Sequence, residues 1–338
     1  MKADGSSKRD RTKNVTLHDV ARLAGVGTMT VSRALNNPEL LNTETLRTVR
    51  EAIEITGYVP NLMARGFATN RNRLIGAFFP SSKNLIYAEL IESLNIAFNA
   101  EGYRLLLGVT GFSASEEDVF FEIFALRPEA FILTGVSHSP KIRQHLLKMR
   151  VPVVEIWDYS TSPIDMLVGF SREKLGAAVG EFFLGKGFRH VGLIGGGDSR
   201  TISRFQFAEE TLKRGGAKVV TKIMKAPASF RFGREALFAL KEELPGLDAV
   251  FCSSDSLAHG VLTGAQVMGI DVPRDLAILG FGDFDFSAYT APALSTIRID
   301  YQRLAATTSD FILKRLSDVD VPQKIVDLGF QIIEREST

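Results

Sequence analysis

Residues 15–36 read Val-Thr-Leu-His-Asp-Val-Ala-Arg-Leu-Ala-Gly-Val-Gly-Thr-Met-Thr-Val-Ser-Arg-Ala-Leu-Asn, and no other stretch constrains the fold as strongly. Leu17, Val20, Ala21 and Ala24 recur on one helical face, and Thr16 stands just before them as an N-cap. Asp19, three residues on, supplies the carboxylate partner of a capping box. Gly25 stops the helix, because glycine takes a left-handed backbone without a Cβ penalty. A second short helix starts near Thr28. Two short helices joined by a glycine-containing turn make a helix-turn-helix. The second helix turns Val31, Ala34 and Leu35 inward and leaves Thr28, Met29, Ser32 and Arg33 outside. Placed in a major groove, Arg33 pairs bidentately with guanine, while Met29 and the Thr28 methyl meet apolar base edges. The spacing alone also fits an ordinary helical hairpin with a solvated arginine.

A third helix is expected over residues 43–56, with Leu46, Val49, Ala52 and Ile53 closing a small three-helix core. Asn42 or Thr43 caps it, Gly57 ends it, and Pro60 pushes Val59 out of helical conformation. Before this unit, residues 1–14 are polar and charged and read as a disordered arm. The chain carries 40 basic and 39 acidic residues, yet residues 1–72 hold 11 and 7 of them. That surplus of four leaves a deficit of three elsewhere, so the basic excess lies on the helix-turn-helix end, as phosphate binding requires.

At 338 residues the chain is too long for one ordinary core. Composition is ordinary for a globular protein, 45% hydrophobic and 23% charged. No apolar run approaches the ~20 residues of a membrane span, and the polar N-terminus is no signal peptide. The single Cys252 forms no internal disulfide and fits a reducing, cytoplasmic setting.

From Arg73 the pattern changes to α/β. Strands are expected at 74–79, 103–109, 130–134 and 151–157, with helices at 87–100, 116–126 and 141–149. A second round follows, with helices at 171–186, 201–214, 230–243 and 257–268 and strands at 190–195, 218–224, 249–252 and 276–280. A helix at 301–316 and a final strand at 324–333 close the chain. Such alternation implies parallel sheets with right-handed crossovers, and two similar halves imply a bilobed unit with a cleft.

The segment 15–36 resembles the headpiece of the lactose/galactose repressor (LacI/GalR) family. The likeness continues through Leu41, which stands where valine is usual, then Asn-Thr-Glu-Thr at 42–45 and Gly-Tyr-Val-Pro-Asn at 57–61, and covers essentially all of residues 15–338. It implies an all-α helix-turn-helix headpiece at 15–60, a hinge helix at 61–72, and a bilobed, periplasmic-binding-protein-like α/β domain at 73–338. The implied subdomains are about 73–168 with 299–319 and about 171–294 with 324–338, and the chain crosses between them near 168–171, 294–299 and 319–324. It further implies a dimeric repressor that binds double-stranded operator DNA and answers to a small-molecule effector. No C-terminal heptad extension follows Ile333, which favours a dimer over a tetramer.

For DNA, the resemblance points to Thr16, Leu17, His18, Thr28, Met29, Thr30, Ser32, Arg33 and Asn36 in the headpiece, and to Asn61, Ala64 and Phe67 in the hinge. Phe67 stands at the family's leucine wedge, a role that phenylalanine also fills in minor-groove binders. Gly66 before it costs roughly 1 kcal/mol in a helix interior, consistent with a hinge that folds on DNA. For the effector, loops at the carboxyl ends of the strands line the cleft. They nominate Ser81, Asn84, Tyr87, Trp157, Arg200, Arg204, Phe230, Ser254 and Asp283. Arg204 falls where the family carries a ligand-binding arginine. Trp157 suits a sugar face or a core equally, and Asp255 is read as a structural helix cap. Gly282 replaces an aspartate common in sugar-binding members, and Ser254 an asparagine.

Keeping arginines while losing an acidic contact favours an anionic ligand. The segments 80–84, 151–155, 168–170, 200–202 and 327–330 look most like the gluconate-responsive branch of the family. That implies a sugar acid such as gluconate, with 2-ketogluconate, idonate, a neutral sugar or a nucleoside as alternatives. An enzyme reading is weaker. Gly195-Gly196-Gly197 follows a strand but lacks the GxGxxG spacing of an NAD site. His18, His138, His145, His190 and His259 show no metal spacing, and Ser253-Ser254-Asp255 is no nucleophile elbow. No cofactor, no metal and no catalytic residues are therefore expected, and a freestanding sugar-binding protein is ruled out by the headpiece.

Overall fold

The computed structural model describes residues 15–59, 72–112, 119–225 and 229–338. The arm at 1–14, the hinge residues Asn61, Ala64, Gly66 and Phe67, and the start of the helix expected at 116–126 lie outside the described residues. The chain divides into two compact units, one ending at Arg71 and the other beginning at Asn72.

The first unit is three helices: α1 (Leu17–Ala24), α2 (Thr28–Asn36) and α3 (Thr43–Thr56). The Thr16 amide and hydroxyl both donate to the Asp19 carboxylate, at 3.0 and 2.7 Å. Gly25 and Gly57 end α1 and α3 in the left-handed region, at φ 65° and 64°. Asn42, one of the two expected caps, accepts from the Thr45 amide at 2.8 Å. Val20, Ala21, Val31, Val49 and Ala52 form the buried core. Leu46, expected in that core, is only half-buried, whereas Tyr58 packs onto it from beyond the end of α3.

The second unit holds two six-stranded sheets. The first lobe contains β1 (Leu74–Phe79), α4 (Leu85–Ala100), β2 (Arg104–Val109), α5 (Val119–Phe124), β3 (Ala130–Thr134), α6 (Pro140–Met149), β4 (Val153–Ile156) and β5 (Met166–Gly169). The second contains α7 (Arg172–Gly185), β6 (His190–Gly196), α8 (Ser199–Arg214), β7 (Lys218–Met224), α9 (Phe230–Glu243), β8 (Ala249–Cys252), α10 (Asp255–Met268), β9 (Ala277–Phe281) and β10 (Ser295–Arg298). Helix α11 (Tyr301–Leu316) returns to the first lobe, against α4, β4 and β5. The chain ends with β11 (Ile325–Asp327) and β12 (Gln331–Ile333). The sheet orders are β11-β5-β4-β3-β1-β2 and β12-β10-β9-β8-β6-β7. All pairings are parallel except β10 with β12.

Three differences from the sequence reading concern the passages between lobes. The strand expected at 324–333 is two strands in two sheets: β11 pairs with β5 and β12 with β10. Gly329, at φ 69°, turns the chain between them. The third passage therefore lies between Asp327 and Gln331, not at 319–324. β10 pairs with β9, so the second passage falls after Arg298, at the end of the expected 294–299, and only the bound of the second lobe moves beyond residue 294. Neither β5 nor β10 stands out in the sequence, because four residues carry too little periodicity to identify a strand.

At the first passage, Gly169 lies against the turn after β4. A Cβ there would sit 1.8 Å from the Asp158 carbonyl oxygen. No side-chain rotation relieves a clash with main chain. Gly169→Ala is therefore expected to lower the melting temperature well beyond the ~1 kcal/mol of an average substitution. Calorimetric scanning checks this, and a shift under about 2 °C would show that the backbone yields.

Candidate functional site

Two sites emerge, one in each unit. In the headpiece, the short α2 presents its outer face to solvent. Met29 is 70% exposed, Arg33 and Asn36 are exposed, and the three recur at i, i+4 and i+7. Asn36 Nδ2 donates to Ser32 Oγ at 3.2 Å, which fixes two polar groups on that ridge. His18 and Thr16 are exposed at the start of α1. Thr28 and Thr30 are half-buried, and Leu17 packs onto the core. The residues nominated for DNA contact are thus mostly surface groups of one small unit, with Leu17 anchoring the start of α1.

In the second unit a chamber opens between the lobes. Of the nine residues nominated for the effector, it gathers Asn84, Tyr87, Trp157, Arg200, Arg204 and Ser254. Each has a clear local origin. Asn84 caps α4, accepting from the Ile86 amide at 3.1 Å. Tyr87 lies one turn on and is buried. Trp157 leaves β4 with φ 67°, which turns the chain out of the strand and ends β4 one residue earlier than expected. Its ring stacks on Tyr301 at 5.5 Å and meets Phe170 and Phe281 edge-on. Trp157 is therefore both core and chamber wall.

Helix α8 supplies both arginines, one turn apart. Asp198 caps it, accepting from the Thr201 amide and hydroxyl. Arg200 reaches across the cleft: its Nη1 is 3.4 Å from the Thr134 carbonyl at the end of β3, and its Nε is 3.5 Å from Asp198. Arg204 lies deeper and is 5% exposed, with its guanidinium 4.2 Å from the Phe281 ring centroid. Its Nε has no hydrogen-bond partner. Burial lowers its pKa to about 10, against the pull of Asp198 and Tyr87. The guanidinium thus remains protonated at neutral pH but is under-compensated, a state that a carboxylate relieves with parallel charge-assisted bonds.

Three nominated residues stand elsewhere. The Asp283 carboxylate is held by Arg298 and by Arg335, the latter at 2.7 Å, and lines a separate cleft beside the crossovers. Its charge is already neutralised within its own lobe. Phe230, 49% exposed, does not border this chamber; it packs edge-on to His259, 5.2 Å away. Ser81 is buried and accepts from the Lys83 amide, closing a local turn. Asp255 is structural as expected but is not the cap. Ser254 caps α10, while the buried Asp255 accepts from Thr296, Ser287 and the Phe284 amide.

The chamber is also lined by Ile86, Thr201 and Phe281, which the sequence placed in cleft loops without nominating them, and by Phe112, which it did not place there. Asp158, which the sequence placed with Trp157 in a cleft loop without nominating it as a contact, is buried beside the chamber with Arg172 at 2.9 Å. Burial raises the Asp158 pKa, with Arg172 opposing. Only the position of Asp158 at a strand's carboxyl end marked it in the sequence.

Residues 16–61 match the family described as bacterial regulatory proteins, lacI family, and residues 181–338 match the periplasmic binding protein-like domain. The HTH-type transcriptional regulator GntR of Pseudomonas aeruginosa is 31% identical over all of both chains. A LacI-family regulator from Silicibacter pomeroyi superimposes with a TM-score of 0.88 at 30% identity, covering 96% of this chain and 99% of that one. A lac repressor dimer bound to operator and the anti-inducer ONPF shares the fold with a TM-score of 0.80 at 22% identity, over 96% of this chain and 99% of the other. The family match and these relatives, all transcriptional regulators, make the chain a DNA-binding transcriptional repressor rather than an enzyme. The chain belongs to the LacI family.

The exposed cost of Arg204 yields a stability test. A base whose pKa is lower folded than unfolded subtracts from stability below the folded pKa. Arg204→Met, which keeps the volume and removes the charge, is expected to raise the ligand-free melting temperature by about 2 °C or more. A lower melting temperature would show that the Phe281 contact outweighs the desolvation.

Proposed function

We propose that this chain is a dimeric operator-binding repressor controlled by a sugar acid, gluconate first among them, whose carboxylate is held by Arg204. One observation supports the reading above the others: a buried guanidinium with an unsatisfied Nε borders the chamber between the lobes, at the carboxyl ends of their strands. A neutral sugar leaves that charge under-compensated, whereas a carboxylate completes it. Arg200, Tyr87, Trp157, Asn84 and Ser254 form the rest of the proposed contact set. The gluconate-like segments at 80–84 and 200–202 fall on this rim. The similarity to GntR of Pseudomonas aeruginosa supports the same branch.

On the DNA side, the proposed readers are the exposed groups of α2, with Arg33 on a guanine edge and Met29 against a thymine methyl. Thr16, Leu17, His18, Thr28, Thr30, Ser32 and Asn36 position the helix or reach the backbone. Asn61, Ala64 and Phe67 belong to the proposed hinge. Two headpieces on one operator, as in the lac repressor dimer, make the spacing between hinges the controlled quantity. Ligand binding shifts the lobes about their three connections and so changes that spacing.

Titration calorimetry with gluconate and glucose tests the effector. Gluconate is expected to bind and glucose to bind poorly. Arg204→Ala should cost at least about 100-fold, or roughly 2.7 kcal/mol. Arg204→Lys should restore only part, since an ammonium lacks the planar fork. Equal binding of the two ligands overturns the anion reading. On the DNA side, Arg33→Ala should cost about 1–3 kcal/mol on the operator and little on random DNA. Equal losses on both would assign Arg33 to phosphate.

A further inference from the structure

The chamber at Arg204 has a neighbour. A second space lies between the ends of β1, β2 and β3 and the start of α8, lined by Thr110, Thr134, Gly135, Ser137, Asp158 and Ser199 among others. Its character is different. The first chamber presents the rings of Tyr87, Trp157 and Phe281 beside the buried arginine. The second presents hydroxyls, main chain of a strand end and one carboxylate. Phe112 and Arg200 border both.

Arg200 therefore stands between the two spaces, held by the Tyr87 ring 5.9 Å from its guanidinium and by two long polar contacts. Its bonds to Thr134 and Asp198, at 3.4 and 3.5 Å, are at the outer limit of hydrogen bonding. A Cβ on Gly135 would lie 3.2 Å from Arg200 Nη1, so the side chain rests directly on the strand end. When the guanidinium swings aside, a ligand oxygen replaces the carbonyl it leaves.

We propose that the effector is an open-chain polyhydroxy acid that occupies both chambers, with its carboxylate at Arg204 and its hydroxyl tail in the space of Thr134, Ser137 and Ser199. Arg200 moves off the Thr134 carbonyl to join the two. The inference rests on the anion reading of Arg204 and adds a length requirement to it. An acid too short to pass Arg200 fills only the first chamber and gains nothing from the hydroxyls beyond. A six-carbon chain reaches the exposed hydroxyls of Ser137 and Ser199, beside Thr134, whose own hydroxyl donates to the Phe78 carbonyl at 2.8 Å.

The test is a ladder of aldonates measured by titration calorimetry on the full-length protein: glycerate, threonate and gluconate. Affinity is expected to rise at least tenfold from glycerate to gluconate. In Ser137→Leu, whose side chain fills the second chamber, the gluconate-to-glycerate ratio should fall to near one. Arg204→Ala should abolish binding of all three. A flat ladder in the wild type, or a ratio that survives Ser137→Leu, overturns the two-chamber arrangement while the Arg204 result still stands on its own. Loss of the ladder through misfolding of the variant is distinguished by its melting curve, and the wild-type ladder decides independently. If no aldonate binds, or Arg204→Ala binds all three normally, the anion reading fails and the two-chamber inference with it.

Discussion

Four aromatic rings from different passages of the chain meet where the two lobes join. Trp157 leaves the end of β4, Phe170 lies on the first passage, Phe281 ends β9, and Tyr301 opens α11 after the second passage. Trp157 and Tyr301 are stacked within 11° of parallel, while Phe170 and Phe281 meet the indole edge-on. Both geometries suit the ring quadrupoles and bury large apolar areas. The Tyr301 hydroxyl donates to the Gly282 carbonyl, pinning the cluster to the second lobe as well. Because packed interiors have few alternative arrangements, any motion between lobes repacks these rings in discrete steps. The cluster is also one wall of the ligand chamber, so occupancy and lobe geometry share the same atoms.

The headpiece was legible nearly residue by residue because its signals are local. A capping pair at Thr16 and Asp19, left-handed glycines at 25 and 57, and Asn42 at a helix start are decided by neighbours within four residues. The bilobed unit was legible as a pattern of alternation but not at its joints. β5, β10, β11 and β12 are three or four residues long, and each exists because a strand distant in sequence offers it hydrogen bonds. Nothing within the run 324–333 announces that its two halves pair with strands of different lobes. The site shows the same division. Arg204, Arg200, Tyr87 and Asn84 follow from helix starts at strand ends, which the sequence marks. Asp283 does not, because Arg298 and Arg335 reach its carboxylate from positions 15 and 52 residues away.

The contrast between Arg200 and Arg204 shows how one helix can give identical side chains different tasks. They are four residues apart on the same face of α8. Arg200 sits at the mouth, with Asp198 and the Thr134 carbonyl as loose polar partners. Arg204 is one turn deeper, where Phe281 and Phe251 are the neighbouring rings and water is excluded. The first has polar partners that already compensate its charge. The second carries a standing deficit that favours an anion and penalises a neutral ligand, so depth along the helix sets the ligand's charge and orientation.

Trp157 is the only tryptophan in the sequence. It lies 5% exposed against Tyr301 and borders the chamber that holds Arg204. The protein's indole fluorescence therefore originates from a single point at the meeting of ligand, lobe junction and buried charge. Emission from this residue senses the local electric field and the polarity of its surroundings, with no background from elsewhere in the fold. The chain thus carries an intrinsic optical probe of its own regulatory state, readable without a label on protein, ligand or DNA.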